Sequence, residues 1–186
     1  MKKGFNLLVL IIQGYLCFSQ LTGSFTDPRD GRVYKTVTIG TQTVMAENLA
    51  FKPTAGAYWA YDNDPANAAI YGYLYDWPTA KQTAPPGWHL PSKTEWETLY
   101  HYLGKDDTEV YNKVKSGGDS GFNTLLGGFR DKDQTFSDIE KLADFWSSTA
   151  GDGNFAWHFF IFPYTEYAFL HSSSSTNGLS VRLFRD

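Results

Sequence analysis

Hydrophobic positions recur with a helical period over residues 92–115, and after Gly117-Gly118 the pattern changes to that of strands. Trp96, Leu99, Tyr100 and Leu103 are spaced to share one helix face. Ser92 and Glu95 stand before them as a capping box, each able to satisfy backbone donors that the first turn leaves open. Gly104 has the freedom to end that helix in a left-handed conformation. A second helix is predicted over 107–115, opened by Asp106 with Glu109 three residues on. A third, shorter one follows the ring-rich stretch from Tyr71 to Pro78 and ends at Gln82. Strands are predicted over 33–39 and 43–45, around the turn Gly40-Thr41, and then over 127–130, 145–148, 154–162, 166–171 and 179–184. Residues 51–70 show turn chemistry and no clean period, and 20–30 reads as a short polar linker. Two or three short helices, a largely antiparallel twisted sheet and long loops make an α+β domain, placed at 31–186.

Composition narrows the classes. The chain has 186 residues, 42% apolar and 19% charged, which excludes a disordered chain, a coiled coil and a collagen-like repeat. One domain is the natural count at that length. Six Trp, twelve Tyr and fourteen Phe are the unusual feature, and so many rings predict an irregular, loop-rich core. A net charge of -4 argues against a nucleic-acid partner or an anionic membrane surface, both of which want clustered Lys and Arg.

The first segment reads as an address. Lys2 and Lys3 precede an apolar run from Leu7 to Ile12, with small residues at Cys17 and Ser19. That is a secretory signal peptide over 1–19, cut before Gln20, and the run is too short for a membrane span. The protein is therefore expected outside the cytoplasm, secreted or at the cell surface. Cys17 is the only cysteine, and Leu16 before it speaks against a lipid anchor. The remaining chain then has no thiol for disulfides, thiolate metal sites or cysteine nucleophiles.

Several stretches together resemble the Fibrobacter succinogenes major paralogous domain. They are Asp30-Gly31-Arg32-Val33-Tyr34, Ile39-Gly40-Thr41-Gln42, Met45-Ala46-Glu47-Asn48-Leu49 and Tyr71-Gly72-Tyr73-Leu74-Tyr75. Pro85-Pro86-Gly87-Trp88-His89-Leu90-Pro91 with Glu95-Trp96, Phe145-Trp146-Ser147-Ser148-Thr149 and Ser180-Val181-Arg182 follow in order. The resemblance implies an exported bacterial domain with a C-type-lectin-like fold, similar in shape to the formylglycine-generating sulfatase-modifying enzymes, with no general activity attached. Three positions depart from the family pattern. Val44 replaces a usual Trp, and Ala84 and Leu183 replace cysteines that would staple the end of the domain to its middle.

Candidate chemistry is sparse. His89 reads as a structural histidine in a tight turn, and the sequence names no nucleophile or carboxylate beside it. Ser147 and Ser148 lack the Gly-x-Ser-x-Gly setting of a hydrolase. His101, His158 and His171 have no metal-ligand spacing. Arg182, among apolar neighbours, is expected to pair with a carboxylate, Glu47 or Glu95. Trp88, Trp96 and Trp146 are expected to be buried in one ring cluster. Asp62, Asn63 and Asp64 are the one oxygen-rich run suited to calcium, against the plainer reading of an Asx-turn before Pro65. With no other cofactor suggested and no paired thiol for formylglycine chemistry, the expectation is a non-catalytic binding module. Its partner is a surface protein, for interaction or adhesion, or alternatively a glycan stacked on exposed rings such as Trp59, Tyr61, Tyr164 and Tyr167.

Overall fold

In the computed structural model, which describes residues 21–186, the strands form two five-stranded sheets and one two-stranded sheet. Residues 1–19, expected from the sequence to be a signal peptide and containing Cys17, lie outside the described residues. The first sheet runs in the order β1 (Leu21–Thr26), β2 (Val33–Ile39), β3 (Gln42–Met45), then β12 (Phe184–Arg185) and β6 (Trp88–His89), every neighbouring pair antiparallel. The second has the order β11 (Tyr167–Ser174), β10 (Phe155–Phe162), β9 (Ala143–Ala150), β7 (Gly127–Arg130), β8 (Phe136–Ile139). It is antiparallel except where Gly128 of β7 meets Ala143 of β9. β4 (Tyr58–Trp59) and β5 (Leu74–Tyr75) make the small pair. Four α-helices are described: α1 (Pro65–Tyr71), α2 (Trp77–Ala80), α3 (Lys93–Leu103) and α4 (Asp107–Val114).

The α+β class and the antiparallel bias agree with the sequence pattern, and the elements differ from it where packing overrides local signals. Residues 21–26, expected as linker, are strand β1, because each of them pairs with a residue of β2. Helix α1 falls in the stretch read as turns; Asp64 caps it by accepting from the Ala66 N–H at 2.9 Å, and Pro65 occupies its first position. The Ser92/Glu95 capping box forms in full. Gly104, however, is extended (φ -170°) rather than left-handed. Two residues later Asp106 must already cap α4, and a Cβ at Gly104 would lie 2.9 Å from Cβ of Glu109. Gly40 does adopt the left-handed conformation (φ 60°), which closes the β2–β3 hairpin. The strand predicted over 179–184 is a regular strand only at its end. Residues 179–183 thread between the sheets, with single bridges to Tyr75 and Phe145.

Phe145 and Trp146 are neighbours in β9, and strand alternation sends them into two different cores. Phe145 joins Trp96, Phe122, Phe159 and Phe184 under α3 and α4. Trp146 joins Trp88, Tyr75, Leu179 and Val181 on the other face. All three expected tryptophans are buried, but in two clusters rather than one. Two indole N–H bonds tie the layers: Trp96 Nε1 donates to the Trp146 carbonyl at 3.3 Å, and Trp146 Nε1 to the Tyr75 carbonyl at 2.7 Å.

Ala84 packs against the cluster that contains Leu183. An Ala84→Cys, Leu183→Cys variant is therefore expected to close a bridge. Closing so long a loop is expected to stabilise the oxidised form over its reduced form by about 2 kcal/mol or more. Intact mass and melting with and without reductant measure this. Two free thiols after oxidation would show that the positions do not face one another.

Candidate functional site

Arg182 is fully buried, and no carboxylate holds it. Its Nε donates to Asn48 Oδ1 at 2.8 Å, Nη1 to the carbonyls of Met45 (3.0 Å) and Phe122 (2.7 Å), and Nη2 to the Asn123 carbonyl at 2.9 Å. The rings of Phe122 and Phe145 lie against the guanidinium. The expected ion pair is thus corrected: the neighbours that reach Arg182 are backbone carbonyls of a loop and a strand end, which need donors more than they need charge. Burial pushes its pKa down, yet it stays protonated at neutral pH. Glu47 instead accepts the Lys35 N–H at 2.7 Å. Asn48 also donates to the Tyr71 carbonyl and to Ser180 Oγ, so its amide serves three segments.

Glu95 goes elsewhere too. Its Oε2 completes the capping box, and its Oε1 is 2.8 Å from His89 Nε2. The other ring nitrogen of His89 is 2.7 Å from Asp186 Oδ1. Neither carboxylate is signalled by the residues around His89, because one is six positions away and the other ninety-seven. Partial burial opposes the charge on His89, but the bonds to Asp186 and Glu95 outweigh it and raise its pKa above 6.5. Burial likewise works against Glu95, while bonds from Ser92 and His89 bring it below 4.5. The tie through His89 is fully present below 6.5 and is lost as pH rises through the raised folded value. The Glu95 contribution is present above 4.5 and is lost as pH falls through its lowered value. Melting temperature is expected to decline from mildly acidic to mildly alkaline pH, and His89→Gln to flatten that decline. A wild-type profile that stays level from about pH 6 to 9 would refute it.

The four rings expected at a ligand face do not form one platform. Tyr61 is 7% exposed and packs on Phe136. Trp59 carries the Arg130 guanidinium on its face at 4.1 Å, and Gly178 comes against its edge. Tyr164, 89% exposed, lines an open cleft of about 510 Å³ with Leu142, Phe160, Phe162 and Pro163. Tyr167, 46% exposed, lines a different groove beside Tyr100 and the start of α4. There Asp107 accepts from the Tyr100 hydroxyl at 2.6 Å. Asp62, Asn63 and Asp64 do not converge as ligands. Asp62 and Asn63 lie in a tight turn with left-handed backbones, and the Asp64 carboxylate is engaged as the α1 cap. Among the described residues no three His, Cys, Asp or Glu side chains are grouped to hold a metal ion.

What the fold does assemble is a ladder of half-buried rings on the outer face of β10 and β11. Phe160 sits opposite Phe169 and His158 opposite His171. Ring centroids run Tyr164–Phe162 at 6.1 Å, Phe162–Phe160 at 5.9 Å, Phe160–Phe169 at 5.1 Å and Phe169–His171 at 6.2 Å. The inner face of the same strands, with Phe159, Ile161 and Ala168, is sealed in the core. On this face His158 is buried, but Phe160, Phe162, Phe169 and His171 stay partly in water although nothing in the alternation requires large apolar groups there. The strand period is visible in the sequence, but which face it leaves open is not.

A family model described as the Fibrobacter succinogenes major domain matches residues 37–185. No curated protein and no solved structure matches the chain.

Proposed function

Because the chain belongs to the Fibrobacter succinogenes major domain family, and its second sheet turns a continuous row of rings toward solvent, we propose that it is an exported binding module whose working surface is the β10–β11 face. The observation that carries this reading is the ladder from Tyr164 through Phe162, Phe160 and Phe169 to His171. Contiguous apolar surface of this kind is the mark of an interaction site. Aromatic anchors that are already fixed by packing lose little freedom on binding. The signal peptide expected over 1–19 supports a secreted or cell-surface location, and an antiparallel scaffold with long loops suits the lectin-like shape that the resemblance implies. The only cysteine lies in that segment, so the thiol chemistry of the formylglycine-generating enzymes is no part of the reading. Among the described residues no helix is long and apolar enough to cross a membrane.

A protein partner, for interaction or adhesion, fits a tilted and uneven row of rings better than a sugar, which wants an open flat face. The glycan reading keeps one specific support, the nearly free ring of Tyr164. The test is binding of the purified chain to its native envelope fraction and to a glycan array, with Phe162→Ser and Phe169→Ser as variants. Loss of envelope binding in both folded variants, with no array signal, is expected. Envelope binding that survives both substitutions would overturn the assignment of this face.

A further inference from the structure

His158 lies on the central strand of three, opposite Trp146 of β9 and His171 of β11. One ladder step toward one end, Asp144 faces Phe160; one step toward the other, Ser173 faces Ala156. Both are diagonal neighbours of His158, a separation that a ring of its length can span. Its Nδ1 is 2.8 Å from Asp144 Oδ1, and its Nε2 is 2.9 Å from Ser173 Oγ. Asp144 and His158 are buried, at 5% and 1% exposure, while Ser173 is half-buried on the edge strand. The carboxylate favours a proton on Nδ1, which leaves the Nε2 lone pair to accept the serine proton. The Nδ1–Oδ1 contact is short but out of line for a full hydrogen bond, and among the described residues neither atom has another partner. Such contacts are commonly misaligned before substrate binds and tighten in the complex. Ser147 and Ser148 have no histidine hydrogen-bonded to them among the described residues.

We propose that Ser173 is an activated nucleophile, with His158 its general base and Asp144 the positioning residue, acting on esters that carry an aromatic or other flat apolar group. Ser173 Oγ forms a bond to the ester carbonyl carbon as its proton passes to His158 Nε2. The carbon–oxygen bond to the alcohol then breaks, and the alcohol leaves with that proton. Water repeats the sequence on the acyl-serine, releasing the carboxylic acid and restoring the hydroxyl. The substrate class comes from placement: Phe169, His171 and Ser173 alternate onto one face of β11, so the ring row leads to the serine. That part rests on the ring face being a binding surface, whereas the nucleophile does not. A purely structural role for the three residues, tying three strands together, predicts lost stability on substitution and no covalent chemistry.

The experiment treats the full chain with a fluorophosphonate probe and maps the adduct by peptide mass, alongside hydrolysis of 1-naphthyl acetate and ethyl acetate. A single adduct on Ser173 is expected, absent in Ser173→Ala and retained in Ser174→Ala. His158→Gln is expected to slow labelling roughly 100-fold, the scale of a lost general base. Should that variant fail to fold, Ser173→Ala decides alone, since it keeps the His158–Asp144 pair and removes one oxygen. No adduct on Ser173 in the folded wild type would overturn the proposal, as would labelling that a folded His158→Gln leaves unchanged. Phe169→Ser tests the substrate class: it should lose the preference for the naphthyl ester. An adduct with no such preference in the wild type would sustain the nucleophile and remove the aromatic substrate class.

Discussion

Trp96→Ala is expected to lower stability by about 5 kcal/mol, the top of the range for removing a buried ring. Trp96 is fully buried, stacked on Phe159 at 5.0 Å and met edge-on by Phe184 at 4.9 Å and Phe122 at 6.1 Å. Those partners come from β10, β12 and the loop before β7, so they have no common movement by which to refill the space. The substitution also strips the Trp146 carbonyl of its indole donor. Against a total of roughly 5–15 kcal/mol for a domain, such a loss leaves the chain barely folded. The melting temperature is expected to fall by roughly 10–20 °C. Trp96→Phe keeps most of the stacking and should cost much less, about 2 kcal/mol. A Trp96→Ala protein melting with the wild type would show that this cluster does not join the helices to the sheets.

The second large effect belongs to Arg182. Arg182→Met removes the charge and preserves most of the volume. It leaves the carbonyls of Met45, Phe122 and Asn123, and Oδ1 of Asn48, without their donors. A buried acceptor left unpaired costs about 1–3 kcal/mol, so the sum, after partial relaxation, is expected near 4 kcal/mol. Arg182→Lys keeps the charge but offers one nitrogen where three were engaged, and its loss should come close to that of Met. This near-equality is the diagnostic result, because a role based on charge would let lysine rescue the fold. Glu47→Gln is the control. It is expected to change stability by less than about 0.5 kcal/mol, because the amide oxygen still accepts from Lys35. Chemical denaturation of the three variants beside the wild type measures the set. Full recovery by lysine, or a large loss in Glu47→Gln, would reinstate the ion pair.

Local chemistry is legible in the chain itself. The Ser92/Glu95 box, the Asp106 cap and the Gly40-Thr41 turn involve partners within a few residues, and the backbone donors they satisfy are decided by chain geometry alone. The helical face of Trp96, Leu99 and Leu103 is legible for the same reason. The Asp64-Pro65 start of α1 is a local signal as well, but the residues after it, Ala66 to Ile70, carry no apolar period to mark a helix.

Other features depend on which distant segments meet. Strand period assigns Phe145 and Trp146 to opposite faces, but only the layering of two sheets gives each face its own core. Arg182 calls for a partner by its burial, and the choice of backbone carbonyls over Glu47 or Glu95 is made by where the 122–123 loop passes. His89 and His158 each stand alone in the sequence; His89 meets Asp186 across ninety-seven positions, and His158 meets Asp144 and Ser173 only through the pairing of three strands. Short-range hydrogen bonds and periodicity are thus properties of the sequence by itself. Register, face and the company of buried polar groups belong to the tertiary structure, because a backbone ladder forms equally well in several alignments until side-chain packing selects one.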